Sequence, residues 1–245
     1  MLVDVVKKTL SKSQYRRKIF IKGVGNFFIY FSLILFLRVF SRPIYYELSY
    51  YWNSYFNKKT EVIVNEGLNN IVLDNYSSNR VGQVGRLAEI FQNQEVRYLS
   101  PIDKDFSVVI PKIQANSKVI ANVNPANESE YRLKLQEGVA HALGTYFPGE
   151  GKKIFLFAHS TDFIWNVGTY NAVFYLLYKL ETDDLVYLMY KNKLYKYKVY
   201  DKKIVEANEV HYLTDESDEE VLVLQTCWPP GTTWKRLLLF AKRIN

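Results

Sequence analysis

The chain has 245 residues and a net charge of +7, from 32 lysines and arginines against 25 aspartates and glutamates. Its 48% hydrophobic and 16% aromatic residues can form a substantial core, which excludes a wholly disordered chain. The single cysteine excludes an internal disulfide framework and a cysteine-rich zinc site, and three histidines leave little for a multi-histidine metal centre. We therefore expect that the functional site of this protein contains no metal ligands.

The positive charge is concentrated at the N-terminus. Residues 1–42 hold nine of the basic residues and one acidic residue, a net charge of +8. Residues 43–245 therefore hold 23 basic and 24 acidic residues, a net charge of −1. A domain-wide basic surface has no support from this distribution, so we expect no nucleic-acid partner.

Residues 19–40 are predicted to form a transmembrane anchor. Their uncharged stretch, 23–37, has 15 residues, fewer than the roughly 20 that a spanning helix needs. Lys22 and Arg38 flank this stretch, and their long side chains can extend to the two membrane interfaces. A cleaved signal peptide and a buried core helix are the alternatives. No small-x-small cleavage site follows, and a buried helix leaves the basic flank unexplained.

The basic cluster at 12–18 predicts a cytoplasmic N-terminus, so the chain is expected to cross the cell membrane once with its bulk outside. Four segments result: a cytoplasmic tail at 1–18, the anchor at 19–40, an extracytoplasmic stalk at 41–104 and a catalytic domain at 105–245. The stalk is polar and rich in asparagine, with a short helix predicted near 86–93.

From residue 105 onward the sequence is typical of a compact β domain. A hairpin is predicted around 191–193, and two helices are predicted at 128–143 and 172–180. At least seven strands with few helices indicate a barrel or a sandwich. The predicted strands are 106–110, 118–123, 153–158, 185–190, 194–200, 221–226 and 236–241.

Three chemically active side chains lie at predicted strand ends. Cys227 follows the β-forming run 221–226 and precedes two prolines, which end the strand because proline cannot donate to the ladder. His159 follows the strand at 153–158, and Arg236 opens the strand after Cys227. A thiol, an imidazole and a guanidinium at one rim suffice for acyl transfer. A buried cysteine, a structural histidine and a surface arginine are the alternatives.

Several motifs in chain order resemble the sortase family. The segment LVLQTCWPPGTTWKR, residues 222–236, is similar to the family's signature, in which a Thr-Cys pair ends one strand and an Arg begins the next. VVIPKIQANSKVIANV, residues 108–123, resembles the opening strand pair, and EGVAHALGTYFPGEGKKIFLFAHST, residues 137–161, resembles the segment that runs into the catalytic histidine. The resemblance covers about residues 105–243 and implies an eight-stranded, mainly β barrel with short helices, preceded by a transmembrane helix.

The resemblance also implies a role for each matching residue. Cys227 corresponds to the nucleophile, His159 to the catalytic histidine and Arg236 to the catalytic arginine, while Thr226 is implicated in oxyanion and substrate contacts. His141 matches a recurrent non-catalytic position. The family usually has glycine before its catalytic histidine, whereas this chain has Ala158. The Cys-to-Arg spacing is nearest to the class C and class D groups.

The implied function is that of a membrane-anchored cysteine transpeptidase. It would cleave a C-terminal sorting signal of the LPXTG type on substrate proteins and pass the acyl group, through a thioester, to an amine. That amine belongs to a cell-wall precursor or to a lysine of another protein. The alternatives are a cysteine peptidase that resolves the thioester with water, and a non-catalytic surface β domain.

No cofactor is expected for this chemistry. The acidic stretch at 215–220 has carboxylates that could bind Ca²⁺. It lacks the spacing of an EF-hand, so a solvated acidic loop is the alternative. Residues 162–171 and 201–220 are predicted to border the cleft.

Overall fold

The computed structural model describes residues 12–55, 60–62, 97–160 and 173–244. Its helices are α1 (Lys12–Tyr55), α2 (Glu128–Glu137) and α3 (His211–Thr214), with two 3₁₀ turns at Pro111–Ile113 and Leu177–Lys179. The strands are β1 (Thr60–Val62), β2 (Arg97–Leu99), β3 (Phe106–Ile110), β4 (Ala115–Val123), β5 (Val139–Ala142), β6 (Ile154–Phe157), β7 (Leu185–Tyr190), β8 (Lys193–Glu206), β9 (Val221–Trp228) and β10 (Lys235–Ile244).

Strands β3 to β10 close into an eight-stranded barrel in the order β10-β8-β7-β3-β4-β5-β6-β9. The pairs β4–β5 and β6–β9 are parallel, and the other neighbours are antiparallel. Closure leaves no free sheet edge within the barrel. The prediction of an eight-stranded barrel with short helices is confirmed.

The barrel strands that carry the site are buried on both faces. All four residues of β6 are buried, and so are the first four of β9. Continuous apolar runs of this kind are typical of strands whose outer face is also covered. Leu135 of α2 is 3% exposed and belongs to the same core.

The helix predicted at 128–143 is wrong in its second half. The structure ends α2 at Glu137 and forms β5 from Val139 onward. A Cβ at Gly138 would overlap the backbone carbonyl of Lys118, so only glycine permits the close approach at which β5 joins β4. The four residues of β5 are helix-compatible locally, and pairing of Val139 with Val119 makes them a strand.

The helix predicted at 172–180 is also wrong within the described residues. Residues 173–180 form turns and the short 3₁₀ helix at Leu177–Lys179. Phe174, Leu177 and Leu180 are fully buried. Their spacing of three residues matches the three-residue period of a 3₁₀ helix rather than the period of an α-helix.

The N-terminal helix α1 contains a segment, Gln14–Arg38, that is long and apolar enough to cross a membrane. Its large apolar side chains are exposed, for example Phe27 at 61% and Ile29 at 64%. An apolar surface of this kind is stable in a bilayer rather than in water. The chain divides into two compact units, Met1–Ile44 and Tyr45–Asn245.

Little of the predicted stalk is described. Strands β1 and β2 pair in parallel as a two-stranded sheet, with Thr60 opposite Arg97. The helix predicted near 86–93 lies outside the described residues.

Candidate active site

The site forms where the parallel strands β6 and β9 end. Their last register pair joins Phe157 to Gln225, and one further backbone hydrogen bond follows, from Ala158 N–H to the Gln225 carbonyl at 3.1 Å. His159 comes directly after this bond and is half-buried. Because β6 and β9 are parallel, both strands end at the same edge of the sheet, which places His159 near the end of β9.

Cys227 and Arg236 are direct partners in the antiparallel ladder between β9 and β10. Residues opposite each other in such a ladder point to the same face, with Cα atoms about 4.5–5.5 Å apart. Cys227 is half-buried, so the residue is not enclosed in the core. A thiol and a guanidinium are therefore held side by side by the main chain itself.

The guanidinium of Arg236 is anchored by backbone carbonyls. Its Nη1 donates to the carbonyls of Thr233 and Lys235, both at 3.1 Å. Among the described residues, no protein acceptor takes a hydrogen bond from Nε or Nη2. Those groups are available to an oxygen that enters the site.

A cavity of about 260 Å³ is lined by His159, Cys227, Arg236 and Thr226. Its lining residues come from β6, β9, β10 and α2 and from the chain that follows β8, among other segments. Residues 162–171, predicted to border the cleft, lie outside the described residues. The remaining lining residues are Pro125, Glu128, Tyr131, Arg132, Leu135, Phe155, Phe157, Ala158, Ala207, Glu209, Val210, Leu213, Gln225 and Thr233.

Thr226 is placed differently from Cys227. Its side chain is 4% exposed, and its Oγ1 donates a hydrogen bond to the Ala158 carbonyl at 3.0 Å. The hydroxyl thus extends the connection between β6 and β9 one step beyond the backbone ladder. Its proton is already used inside the protein, on the residue that precedes His159.

His141 lies on β5 and does not line the cavity. It is fully buried, its Nδ1 accepts from Asn122 N–H at 3.3 Å, and its Nε2 lies 2.9 Å from the Tyr146 carbonyl. Burial lowers the pKa of His141 despite the opposing contributions of the Tyr146 carbonyl and Glu150. A neutral imidazole with both nitrogens engaged is a structural group.

Tyr131 is a cavity residue that sequence reasoning did not identify. It lies on α2, half-buried, with its ring edge-on to Phe157 at a centroid distance of 6.0 Å. Nothing in the local sequence marks it, because only the packing of α2 against the barrel brings it to the site.

Three of the acidic residues at 215–220 form ion pairs with lysine or arginine side chains. Asp218 pairs with Lys152 at 3.1 Å, Glu219 with Lys242 at 2.7 Å, and Glu220 with Arg243 at 3.1 Å. The described part of the chain contains no group of three or more His, Cys, Asp or Glu side chains arranged to hold a metal ion.

Comparison with known proteins gives one family. Residues 108–244 match the family described as Sortase domain. Sortase D of Bacillus subtilis (strain 168) is 27% identical over 139 residues, which are 56% of this chain and 62% of that protein. The match therefore spans less than two thirds of the length of this relative.

Two solved sortase structures are among those that are similar to this chain. Sortase C1 from Streptococcus suis is 26% identical, with a TM-score of 0.48 and coverage of 58% of this chain and 74% of that chain. Sortase C-1 from Actinomyces oris is 23% identical, with a TM-score of 0.49 and coverage of 70% and 93%. Because the sortase domain match covers more than half of its residues, the chain belongs to the sortase family.

Proposed function

We propose that this protein is a membrane-anchored cysteine transpeptidase that cleaves LPXTG-like C-terminal sorting signals. The observation that carries the proposal is the ladder pairing of Cys227 with Arg236 in the cavity that His159 also lines. This arrangement supplies a nucleophile, a cation for a developing oxyanion and a group that transfers protons.

In the first half-reaction, the thiolate of Cys227 attacks the carbonyl carbon of the scissile peptide bond. The Nε and Nη2 groups of Arg236, which bind no acceptor among the described residues, donate to the oxygen that becomes negative. His159 gives a proton to the leaving amine as the C–N bond breaks, and a thioester on Cys227 remains. We also propose that Thr226, the residue before Cys227, contributes to the contacts with the oxyanion and with the substrate.

In the second half-reaction, an amine attacks the thioester carbon and the C–S bond breaks. His159 takes the proton that the amine loses, and the thiolate of Cys227 is regenerated. The amine comes from a cell-wall precursor or from a lysine of another protein. The balance of atoms and protons requires no cofactor.

The apolar segment of α1 is proposed to anchor the enzyme in the cell membrane, with the N-terminus in the cytoplasm and the barrel outside. Substrates held in the same membrane would then meet the site at a high effective concentration. Extraction of membranes with alkaline carbonate tests the anchor, since the full chain should stay with the lipid. Protease added to intact cells should cleave the barrel and spare the basic tail.

The decisive experiment is intact mass spectrometry of the detergent-solubilised full chain with a panel of LPXTG-type peptides. We expect an acyl adduct on Cys227 that is absent from Cys227→Ala. Arg236→Lys should lower the rate of adduct formation by about 100-fold or more, because a point charge cannot reproduce the planar fork of donors. Full turnover in Cys227→Ala would end the proposal.

Product analysis with and without an added amine separates transfer from hydrolysis. A transpeptidase gives a new amide when amine is present, whereas a peptidase gives only the free acid. A Cys227 that is inert to thiol reagents and forms no adduct would identify a non-catalytic β domain. The same assay with added Ca²⁺ tests for metal activation.

A further inference from the structure

One face of α2 forms a wall of the cavity. Glu128, Tyr131, Arg132 and Leu135 all line it, at the spacing of three, four and seven residues that places side chains on one helix face. Asn127 caps the helix by accepting from Glu130 N–H at 3.3 Å, and buried Leu135 fixes its other end. Tyr131 therefore stands at the middle of a fixed wall.

Tyr131 lines the same cavity as the proposed reacting groups. Its ring is fixed edge-on against Phe157, and the charges of both Cys227 and Arg236 act on the phenol. Burial raises the pKa of Tyr131, with Glu128 adding to the effect, so the hydroxyl stays protonated near neutral pH. Among the described residues, it makes no hydrogen bond.

Tyr131 is half-buried and lines the cavity, and its hydroxyl has no hydrogen-bond partner among the described residues, so it is suited to bind a group that enters the cavity. A protonated phenol can donate one hydrogen bond, so a hydrogen-bond acceptor is a partner that fits. A peptide that lies over Cys227 and Arg236 carries such acceptors in its backbone carbonyls.

We propose that Tyr131 is a substrate-contacting residue, whose hydroxyl donates a hydrogen bond to a backbone carbonyl of the peptide bound over Cys227 and Arg236. This inference rests on the proposed function, since it assumes a peptide substrate. It adds a fifth residue to the four that the sequence indicates, which are Cys227, His159, Arg236 and Thr226. It also assigns α2 a role in substrate recognition.

The test is Tyr131→Phe, which removes one oxygen and keeps the ring contact with Phe157. With the LPXTG-type peptide of highest adduct yield, we expect kcat/KM to fall about tenfold, the size of one lost neutral hydrogen bond. Tyr200→Phe is the matched control, because Tyr200 lies on β8, is 42% exposed and does not line the cavity. It should leave kcat/KM unchanged.

A binding measurement separates substrate contact from a merely structural role. In the Cys227→Ala background, which cannot react, Tyr131→Phe should weaken peptide binding about tenfold while the thermal midpoint stays unchanged. Peptide affinity and kcat/KM within twofold of the parent proteins would overturn the inference. So would a loss of affinity that follows a lowered thermal midpoint.

The two proposals fail in distinguishable ways. If the protein with Cys227 intact forms the acyl adduct and Tyr131→Phe behaves like it, only the role of Tyr131 is refuted. If Cys227→Ala binds the peptide through Tyr131 but the parent protein forms no adduct, the contact stands and the transpeptidase proposal falls. Absence of any peptide binding refutes both.

Discussion

At the scale of single residues, Thr226 connects the two strands that carry the site. Its buried hydroxyl donates to the Ala158 carbonyl at 3.0 Å, just past the last register pair of β6 and β9. Ala158 is 6% exposed, so this carbonyl has little access to water. The bond fixes the main chain directly before His159, and it does so from the residue directly before Cys227.

We predict that Thr226→Val, which keeps the shape but removes the hydroxyl, lowers both stability and acylation rate. A buried carbonyl left without its donor costs about 1–3 kcal/mol. Urea unfolding gives the stability, and the rate of adduct formation on Cys227 gives the activity. Thr226→Ser should restore most of both.

The outcome also separates two roles for this side chain. A loss of rate without any loss of stability would indicate that the hydroxyl acts on the substrate rather than on the Ala158 carbonyl. Full stability and full rate in Thr226→Val would contradict both roles.

At the scale of elements, Glu220 holds a loop and three strands together. Its side chain is 6% exposed, and it accepts from Tyr197 Oη at 2.7 Å and from the backbone N–H groups of Gly149 and Gly151 at 3.2 and 3.1 Å. Nη1 of Arg243, on β10, also donates to the Glu220 carboxylate at 3.1 Å. The loop between β5 and β6 is thereby attached to the start of β9.

These contacts determine the ionisation of the carboxyl group. Burial alone would raise the pKa of Glu220, but the hydrogen bonds from Tyr197, Gly149 and Gly151 and the charge of Arg243 hold it below its ordinary value. A carboxyl whose pKa is lower in the folded state stabilises the fold above its unfolded pKa of about 4.3. That stabilisation is lost as the pH falls through the folded pKa.

We predict that Glu220→Gln lowers the free energy of unfolding at pH 7 by about 1–3 kcal/mol, because it removes the buried carboxylate that accepts from Tyr197, Gly149 and Gly151. The variant should also lose less stability than the parent protein between pH 5 and pH 3. Urea unfolding across this pH range is the measurement. Glu219→Gln is the control, since its ion pair with Lys242 is exposed and should contribute less than about 1 kcal/mol. Equal losses in the two variants would contradict the prediction.

At the scale of the whole molecule, the last turns of α1 belong to the same compact unit as the barrel. Glu47 accepts from the Tyr178 hydroxyl and pairs with Lys179 Nζ at 3.2 Å, and Lys179 also donates to Tyr51 Oη at 3.1 Å. Burial, with the bond to Glu47, raises the pKa of Tyr178 to about 12. The Tyr178 ring lies 5.4 Å from the ring of Trp228, the residue after Cys227.

We predict that Glu47→Gln in the full chain destabilises the barrel by about 1–3 kcal/mol, because Lys179, at 14% side-chain exposure, loses its anionic partner. Thermal unfolding in detergent measures the effect. Glu61→Gln serves as the control, since Glu61 is exposed. Identical midpoints for the two variants would contradict the prediction that the contacts of Glu47 stabilise the barrel.

The local sequence predicted those elements whose pattern is unambiguous. Strands β3 and β7 begin and end where the β-forming runs do, and the hairpin turns at Lys191 and Asn192, both with positive φ. A turn of this kind follows from the residues between two alternating runs. Such elements predicted a barrel or a sandwich, and the motifs that resemble the sortase family implied the eight-stranded barrel.

The same kind of signal placed the three proposed reacting groups, because a proline or a polar run after an apolar strand fixes where the strand ends. Cys227, His159 and Arg236 were therefore recognisable as strand-end residues, and the structure brings them to one cavity. Their chemical roles stay predictions until the adduct experiment is done.

What the sequence by itself determined is thus the charged and apolar segment at the N-terminus, most of the strands and the strand-end positions of the site. These depend on the order of neighbouring residues. Tertiary structure alone decided that 139–142 is a strand, that the hydroxyl of Thr226 binds Ala158 and that Tyr131 lines the same cavity as Cys227. Each of these depends on a partner far away in the chain, and a local pattern carries no information about which distant surface will cover it.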